Sequence, residues 1–325
     1  MNLDKAKAFI ESHYDFILAA HRSPDGDTLG SCLALRLALI TLGKKADVVC
    51  SDPVPPYLRF LPGSDTVLFD LNRTYEAAIY IDCADHARTG SLESSLEKSE
   101  ARFCIDHHGT NPKQSKDGDW VEDVGATGEM IKRLITELSV TITPEIAECL
   151  YTAIATDTGN FSYSNTTPDT FRIAADILET GINLPDLNRR LFRDMPVRKG
   201  KLIGLTLRNM KLYSDESIAV ALISKEMMDE CEATEADCEG LIDYLRDLEP
   251  VEIACTIRES SNGIVRGSLR SKQGSDVSKA AAAFGGGGHV RAAGFSMECT
   301  LKEAEKRILP ELQKAIVTWK ESSMS

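Results

Sequence analysis

FILAAHRSPDGD, residues 16–27, decides the fold. A short apolar run passes without alternation into His21, Asp25 and Asp27, with Pro24 and Gly26 between them. Apolar runs of this length bounded by turn residues read as buried strands. The pattern recurs in ADVV (46–49), AAIYID (77–82) and RFCID (102–106), each separated from the last by a stretch with helical spacing. Such alternation implies crossover connections and a mainly parallel sheet covered by helices. Two helical stretches, Gly128 to Leu138 and Pro144 to Thr156, follow; Thr143 is placed to cap the second and Pro144 to open it.

Downstream, residues 185–213 read as helical and rich in Arg and Lys, without a strand signal. A second strand-and-helix set then begins: SIAVALIS (217–224), a helix near Ala236 to Leu248, VEIACTIRE (251–259), GIVRGSLRSK (263–272), a short helix to Phe284 and a last helix after Thr300. The expected class is therefore α/β, with a parallel-sheet first domain joined by a helical linker to a smaller α/β domain. A length of 325 residues suits two domains.

Charge and composition exclude several functions. A net charge of −13 argues against a protein that coats long duplex nucleic acid, because such binding rests on many Lys and Arg contacts to phosphates. A small anionic substrate remains allowed, since bound cations invert the field inside one cleft. Asp4, Glu11, His13 and Asp15 interrupt the first twenty residues, which so lack the apolar core of a signal peptide. No segment approaches the roughly 18 uninterrupted apolar residues of a membrane helix. The 9 cysteines are scattered with no CxxC pair, and Cys83, Cys104 and Cys255 lie inside strand-like runs, so buried reduced thiols in a cytoplasmic protein are expected.

The Asp and His residues gather where the strands end. After FILAA come His21, Asp25 and Asp27; AAIYI ends in Asp82, with Asp85 just beyond; RFCI ends in Asp106, His107 and His108; the helix from Pro144 ends in Asp157. Ligands of open parallel sheets bind outside the carboxyl ends of the strands, so residues far apart in sequence share one rim. Several carboxylates with one or two imidazoles and no thiolate suit a hard divalent cation, and manganese tolerates imidazole better than magnesium does. Crowded carboxylates repel unless cations neutralise them, and two metals about 3.5–4 Å apart sharing one carboxylate would both relieve the repulsion and serve in-line attack on phosphorus. Taken singly, Asp25 and Asp27 beside Pro24 and Gly26 are ordinary turn residues. Their conjunction with three of the 6 histidines is what points to a metal site.

HRSPDGD, IDCAD, DHH and ATDTG, in this order, resemble the four motifs of the DHH phosphoesterase family, and GGGGHVRAAG (285–294) resembles the signature of its associated C-terminal domain. The resemblance implies a catalytic domain over 1–190, a helical linker over 191–214 and a substrate-binding domain over 215–325. It implies that His21 and Asp25 hold one metal, that Asp27, His107 and Asp157 hold the other, and that Asp82 bridges them, with a water between the metals as nucleophile. His108 would stabilise the scissile phosphate or protonate the leaving oxygen, with Asp106 orienting the neighbouring imidazole. Arg270, Ser271, Gly286, Gly287, Gly288 and His289 would bind substrate; the glycine run is not a Walker A loop, because His289 and not Lys-Ser or Lys-Thr follows it. The family usually has three glycines before this histidine, where this chain has four.

Within the family, the length and domain pair are most similar to bacterial oligoribonucleases that also dephosphorylate 3′-phosphoadenosine 5′-phosphate (pAp). The implied function is hydrolysis of short RNA to mononucleotides and of pAp to AMP, with two divalent ions, manganese preferred, and a homodimer by analogy. Alternatives are a phosphodiesterase of linear or cyclic dinucleotides, a pyrophosphatase, and a nucleotide-binding regulator without catalysis.

Overall fold

The run at residues 16–20 forms a strand because both of its faces find apolar cover. The computed structural model describes residues 2–260 and 263–324. Its first strand, β1 (Asp15–Ala19), turns Phe16 and Leu18 toward one buried cluster and Ile17 and Ala19 toward another. A strand covered on both faces needs no polar alternation, which is why the segment reads as a continuous apolar run.

The chain divides into two units, the first ending at Asp194 and the second beginning at Met195. In the first, α1 (Asn2–Ser12), β1, α2 (Gly26–Thr41), β2 (Lys45–Val49), β3 (Ala77–Ile81), α3 (Glu93–Leu96), β4 (Ala101–Asp106) and β5 (Asp119–Val121) are followed by α4 (Thr127–Glu137), α5 (Pro144–Asp157), α6 (Pro168–Leu178) and α7 (Leu184–Phe192). The sheet runs β2-β1-β3-β4-β5, and every pairing is parallel. Thr143 caps α5 through Ile146 N and Pro144 occupies its first turn, as the sequence implies.

Two glycines set how closely α2 and α5 meet. A Cβ on Gly26 would lie 2.3 Å from Thr156 Oγ1, and one on Gly30 would lie 2.4 Å from the carbonyl oxygen of Cys149. Only a residue without a Cβ lets the two backbones approach this far, and that approach fixes where the start of α2 stands relative to the end of α5.

The second unit holds α8 (Val197–Asn209), β6 (Lys211–Tyr213), β7 (Ile218–Ile223), α9 (Lys225–Glu230), α10 (Leu241–Arg246), β8 (Ile253–Glu259), β9 (Val265–Ser271), α11 (Val277–Ala282), β10 (Gly287–His289), β11 (Ala292–Met297) and α12 (Leu301–Met324). Its sheet, β10-β11-β9-β8-β7-β6, is parallel only between β7 and β8. α11 and α12 cover one face, and α10 covers part of the other over Ala219, Ala221 and Ala254.

Residues 191–214, read as one helical linker, are instead divided: α7 ends at Phe192 in the first unit, α8 packs in the second, and Lys211–Tyr213 pairs with β7 as an edge strand. Two of the three β6 residues are exposed, so no apolar run marks them. The helix read from Ala236 to Leu248 is broken at Gly240, whose φ of 76° ends one turn before α10 starts.

Candidate metal centre

The connection after β1 runs to β2 on one side, and the next returns to β3 on the other. The crevice at this reversal of strand order is the ligand site of open parallel sheets. His21 and Asp82 flank it, just beyond β1 and β3. Asp106 ends β4, with His107 and His108 following. Asp25 caps α2 by accepting from Thr28 N at 3.0 Å, Asp27 lies in the first turn of α2, and Asp157 ends α5. A carboxylate at a helix C-terminus opposes the helix dipole, so Asp157 is not placed there for stability.

Both imidazoles at the centre are oriented from behind. His21 Nδ1 donates to the carbonyl of Arg22 at 2.8 Å, and His107 Nδ1 donates to that of Val124 at 3.0 Å. A carbonyl can only accept, so Nδ1 carries its proton and Nε2 is the nitrogen that faces the carboxylates, available to a cation once its own proton is displaced. His21 Nε2 lies 3.6 Å from Asp25 Oδ2 and 3.6 Å from Asp82 Oδ2. His107 Nε2 lies 3.6 Å from Asp82 Oδ1, 3.6 Å from Asp157 Oδ2 and 3.9 Å from Asp27 Oδ2. The ligand atoms of His21, Asp25 and Asp82 fall within 4.8 Å of one another, as do those of Asp27, His107 and Asp157, and those of Asp82, His107 and His108. Asp82 thus belongs to two of the three groups.

The carboxylates are held as firmly as the rings. Asp27 accepts from Thr127 N at 2.7 Å and Gly128 N at 2.9 Å, the start of α4, and from Ser31 Oγ at 3.2 Å. Asp82 accepts from Thr127 Oγ1 at 3.0 Å and sits at φ 58°, a left-handed backbone that costs a non-glycine residue free energy. His108 Nδ1 is 2.8 Å from Asp106 Oδ1, and the other oxygen of Asp106 accepts from Asn111 at 2.7 Å. Thr127, Gly128, Val124 and Asn111 escape sequence reading. They act through backbone groups or small polar side chains, and the one signal was the run of small residues Gly125 to Gly128 leading into α4. Asp85 caps the turn at Ala87 N, 2.9 Å away, which accounts for it without a role in the centre.

Electrostatics fit a cation site. Burial, and then the charges of Asp82, Asp157 and Asp25, pushes Asp27 well above the usual carboxylate range. Asp157 is pushed up to about 6 by burial, with Asp82 and Asp25 repelling it and His107 partly offsetting them. Burial opposes charge on His21, yet Asp25 and Asp82 outweigh it and raise the imidazole to about 10. In the metal-free chain the cluster thus holds protons where divalent ions would neutralise it. Thiols line the floor without joining the site: Cys50 donates to the carbonyl of His21, Cys83 to that of Ala19 and Cys104 to that of Cys83. Burial pushes Cys50 up to about 11, and Cys32, Cys83 and Cys104 well above the usual thiol range. The donor set is therefore carboxylate and imidazole, which suits a hard divalent ion.

In the second unit, His289 pairs with Ala292 and Ala292 with Arg270, so the histidine and the arginine share a row across β11, about 10 Å apart. Ser271, expected beside Arg270, faces the opposite side of the sheet, because successive strand residues alternate; it is buried, whereas Arg270 is partly exposed. Gly286 and Gly288 are required by close backbone approach: a Cβ would meet Gly294 O at 2.2 Å and Ala292 O at 2.3 Å. Gly287 lies between them in β10.

Comparison with known proteins agrees along nearly the whole chain. Residues 15–154 match the DHH family, N-terminal domain, and residues 215–318 match the DHHA1 domain. A protein of Thermus thermophilus named bifunctional oligoribonuclease and PAP phosphatase NrnA is 34% identical over 303 residues, covering 92% of this chain and 89% of its own. A Bacillus subtilis protein of the same name is 30% identical, covering 93% and 95%. The crystal structure of an exopolyphosphatase-related protein from Bacteroides fragilis matches 96% of each chain with a TM-score of 0.89 at 27% identity.

Proposed function

The chain belongs to the DHH family, and on that premise we propose that it is a cytoplasmic hydrolase that degrades short RNA to mononucleotides and converts pAp to AMP. The observation that carries this reading is the convergence of the His21–Asp25–Asp82 and Asp27–His107–Asp157 groups, joined where His107 Nε2 lies 3.6 Å from Asp82, on a chain whose relatives of matching length bear the oligoribonuclease and PAP phosphatase name. No helix among the described residues is long and apolar enough to cross a membrane.

His21, Asp25 and Asp82 would hold one divalent ion and Asp27, His107 and Asp157 the other, with Asp82 common to both and manganese preferred. When bound, such ions neutralise phosphoryl charge and acidify water. The residues of the chain then do the rest. Asp106 fixes Nδ1 of His108, leaving Nε2 to carry a proton to the leaving oxygen, and hydrogen bonding to Asp106 raises the pKa of His108 so that the proton is retained. Asn111 holds Asp106 in turn. Arg270 offers a bidentate fork to a substrate phosphate, and His289 and the backbone of the glycine run offer further donors.

The test is turnover of a 5′-labelled RNA trimer and of pAp with manganese, with magnesium and after chelation. Manganese-supported turnover of both, lost with chelator, is expected. Activity on neither would overturn the reading and turn attention to cyclic dinucleotides.

A further inference from the structure

The loop 158–167 joins α5 to α6 directly after Asp157, and its backbone begins in a conformation that side chains resist. Gly159 (φ 56°), Asn160 (φ 53°) and Phe161 (φ 64°) lie one after another in the left-handed region, where a bulky residue such as Phe161 is an outlier. Hydrogen bonds enforce it. Asn160 N donates to Ala155 O at 2.7 Å and Phe161 N to Thr158 Oγ1 at 3.2 Å, while the carbonyl of Thr158 accepts from Ser162 N at 2.9 Å and Tyr163 N at 3.0 Å. Asn165 Nδ2 donates to Asp157 O at 3.1 Å and to Gly125 O at 2.8 Å, just before the α4 amides that hold Asp27. Strained backbone that its surroundings over-determine is found where placing a group matters more than stability.

The group placed here is Tyr163. Phe161 goes into packing, its ring 6.1 Å from that of Tyr151 and stacked 5.4 Å from that of Phe171. Tyr163 does not: its ring lies against Gly159, where a Cβ would collide with Cε1 and Cζ, and the residue is 57% exposed. Its ring and hydroxyl have no side-chain partner among the described residues. An exposed tyrosine is ordinary by itself; one fixed on strained backbone beside a metal-ligand candidate is not. Gly159 is two residues from Asp157, at most about 7 Å of backbone, so a phosphate at the centre brings its own nucleoside within reach of the ring. Immobilised before binding, the ring loses little freedom when a flat ligand settles on it. Every base has a π-face, so stacking tolerates any sequence, as degradation of short RNA and of pAp requires.

We propose that Tyr163 is a stacking platform for the base of the nucleotide whose phosphate sits at the metal centre. The proposal rests on the nucleotide-hydrolase reading and deepens it by naming what separates a nucleotide from a bare sugar phosphate at the same ions.

The test measures binding of AMP and of ribose 5-phosphate, which differ only by the base, to the full chain with manganese by titration calorimetry, for wild type, Tyr163→Ala, Tyr163→Leu and Tyr163→Phe. Wild type is expected to prefer AMP. Tyr163→Ala and Tyr163→Leu, the second keeping apolar cover on Gly159, should each weaken AMP about tenfold and leave ribose 5-phosphate and manganese affinity unchanged. Tyr163→Phe should bind as wild type does. Unchanged AMP affinity in the Ala and Leu variants would overturn the platform. So would equal losses for the two ligands or a loss of manganese affinity, since the ring would then only prop the loop of Asp157. Tyr163→Phe as weak as Tyr163→Ala would place the contact at the hydroxyl and overturn stacking. A Tyr163-dependent preference for AMP in a protein that turns over neither RNA nor pAp would sustain the platform and defeat the functional reading, so the two fail separately.

Discussion

Replacing Gly30 with alanine sets two physical effects against each other with opposite signs. Helix propensity alone favours alanine over glycine inside α2 by about 1 kcal/mol. The added Cβ, however, would stand 2.4 Å from Cys149 O and 3.0 Å from Ala153 N, both backbone atoms of α5 that cannot swing aside. Restoring an ordinary 3.4 Å contact from 2.4 Å means moving the two helices apart by about 1 Å. Overpacking of this kind costs about 3 kcal/mol at the upper end of its range. The net expectation is a loss of about 2 kcal/mol, or a Tm lower by about 4–8 °C for a unit of this size. Because Asp27 is on α2 and Asp157 on α5, the same displacement exceeds the roughly 0.2 Å tolerance of metal–ligand distances, so manganese affinity measured by titration calorimetry should drop at least about tenfold. Gly204, on the exposed face of α8, where a Cβ would meet nothing within 4 Å, is the control, and Gly204→Ala should raise stability by up to about 1 kcal/mol. A Gly30→Ala protein with unchanged or higher Tm and wild-type manganese affinity would refute the packing account of how the centre is positioned.

Asp82→Asn keeps a residue that tolerates the left-handed backbone while removing the shared charge; turnover should drop about a thousandfold with the circular dichroism spectrum intact. Asp106→Asn should slow turnover about 10- to 100-fold. Since Asp106 raises the pKa of His108, and the protonated ring is the active form, the alkaline limb of the rate profile should also move to lower pH in that variant. Asp27 and Asp157 have folded pKa values above their unfolded ones, so the metal-free chain binds more protons folded than unfolded between about pH 4 and 6. Its Tm should therefore fall as pH rises through that window, and added manganese should raise Tm more at neutral pH than at pH 5; a pH-independent increment would contradict the carboxylate repulsion.

The three strands that deliver the site, β1, β3 and β4, were legible because each is an apolar run that leads into Asp or His; β2 was legible as a shorter apolar run, although it carries no site residue. β5 was not: its three residues follow Gly118 at the sheet edge, and only Trp120 is buried. β6 and β10 carry exposed or glycine residues, and their pairing depends on neighbours distant in sequence. In the candidate centre, the side chains that converge were all visible as Asp and His at strand and helix ends. What holds them was not, because the donors to Asp27 include the backbone amides of Thr127 and Gly128, and the acceptors that fix the two imidazoles are the backbone carbonyls of Arg22 and Val124. The positions of Gly26 and Gly30 likewise gain meaning only once α5 lies across them. Ser271 shows the converse limit: adjacency in sequence to Arg270 meant opposite faces in the sheet.

The layer of cysteines beneath the centre bears on which ions the protein can discriminate. Zinc and copper out-compete manganese for nearly any shared donor set, and a thiolate within reach would turn that advantage into a trap. Here the nearest sulfurs spend their protons on the carbonyls of Ala19, His21 and Cys83, and burial keeps those protons in place at physiological pH. A soft ion entering the crevice meets only oxygen and imidazole nitrogen. The same protonation denies oxidants their nucleophile, so a chain rich in cysteine presents a redox-inert floor to its own reaction chamber.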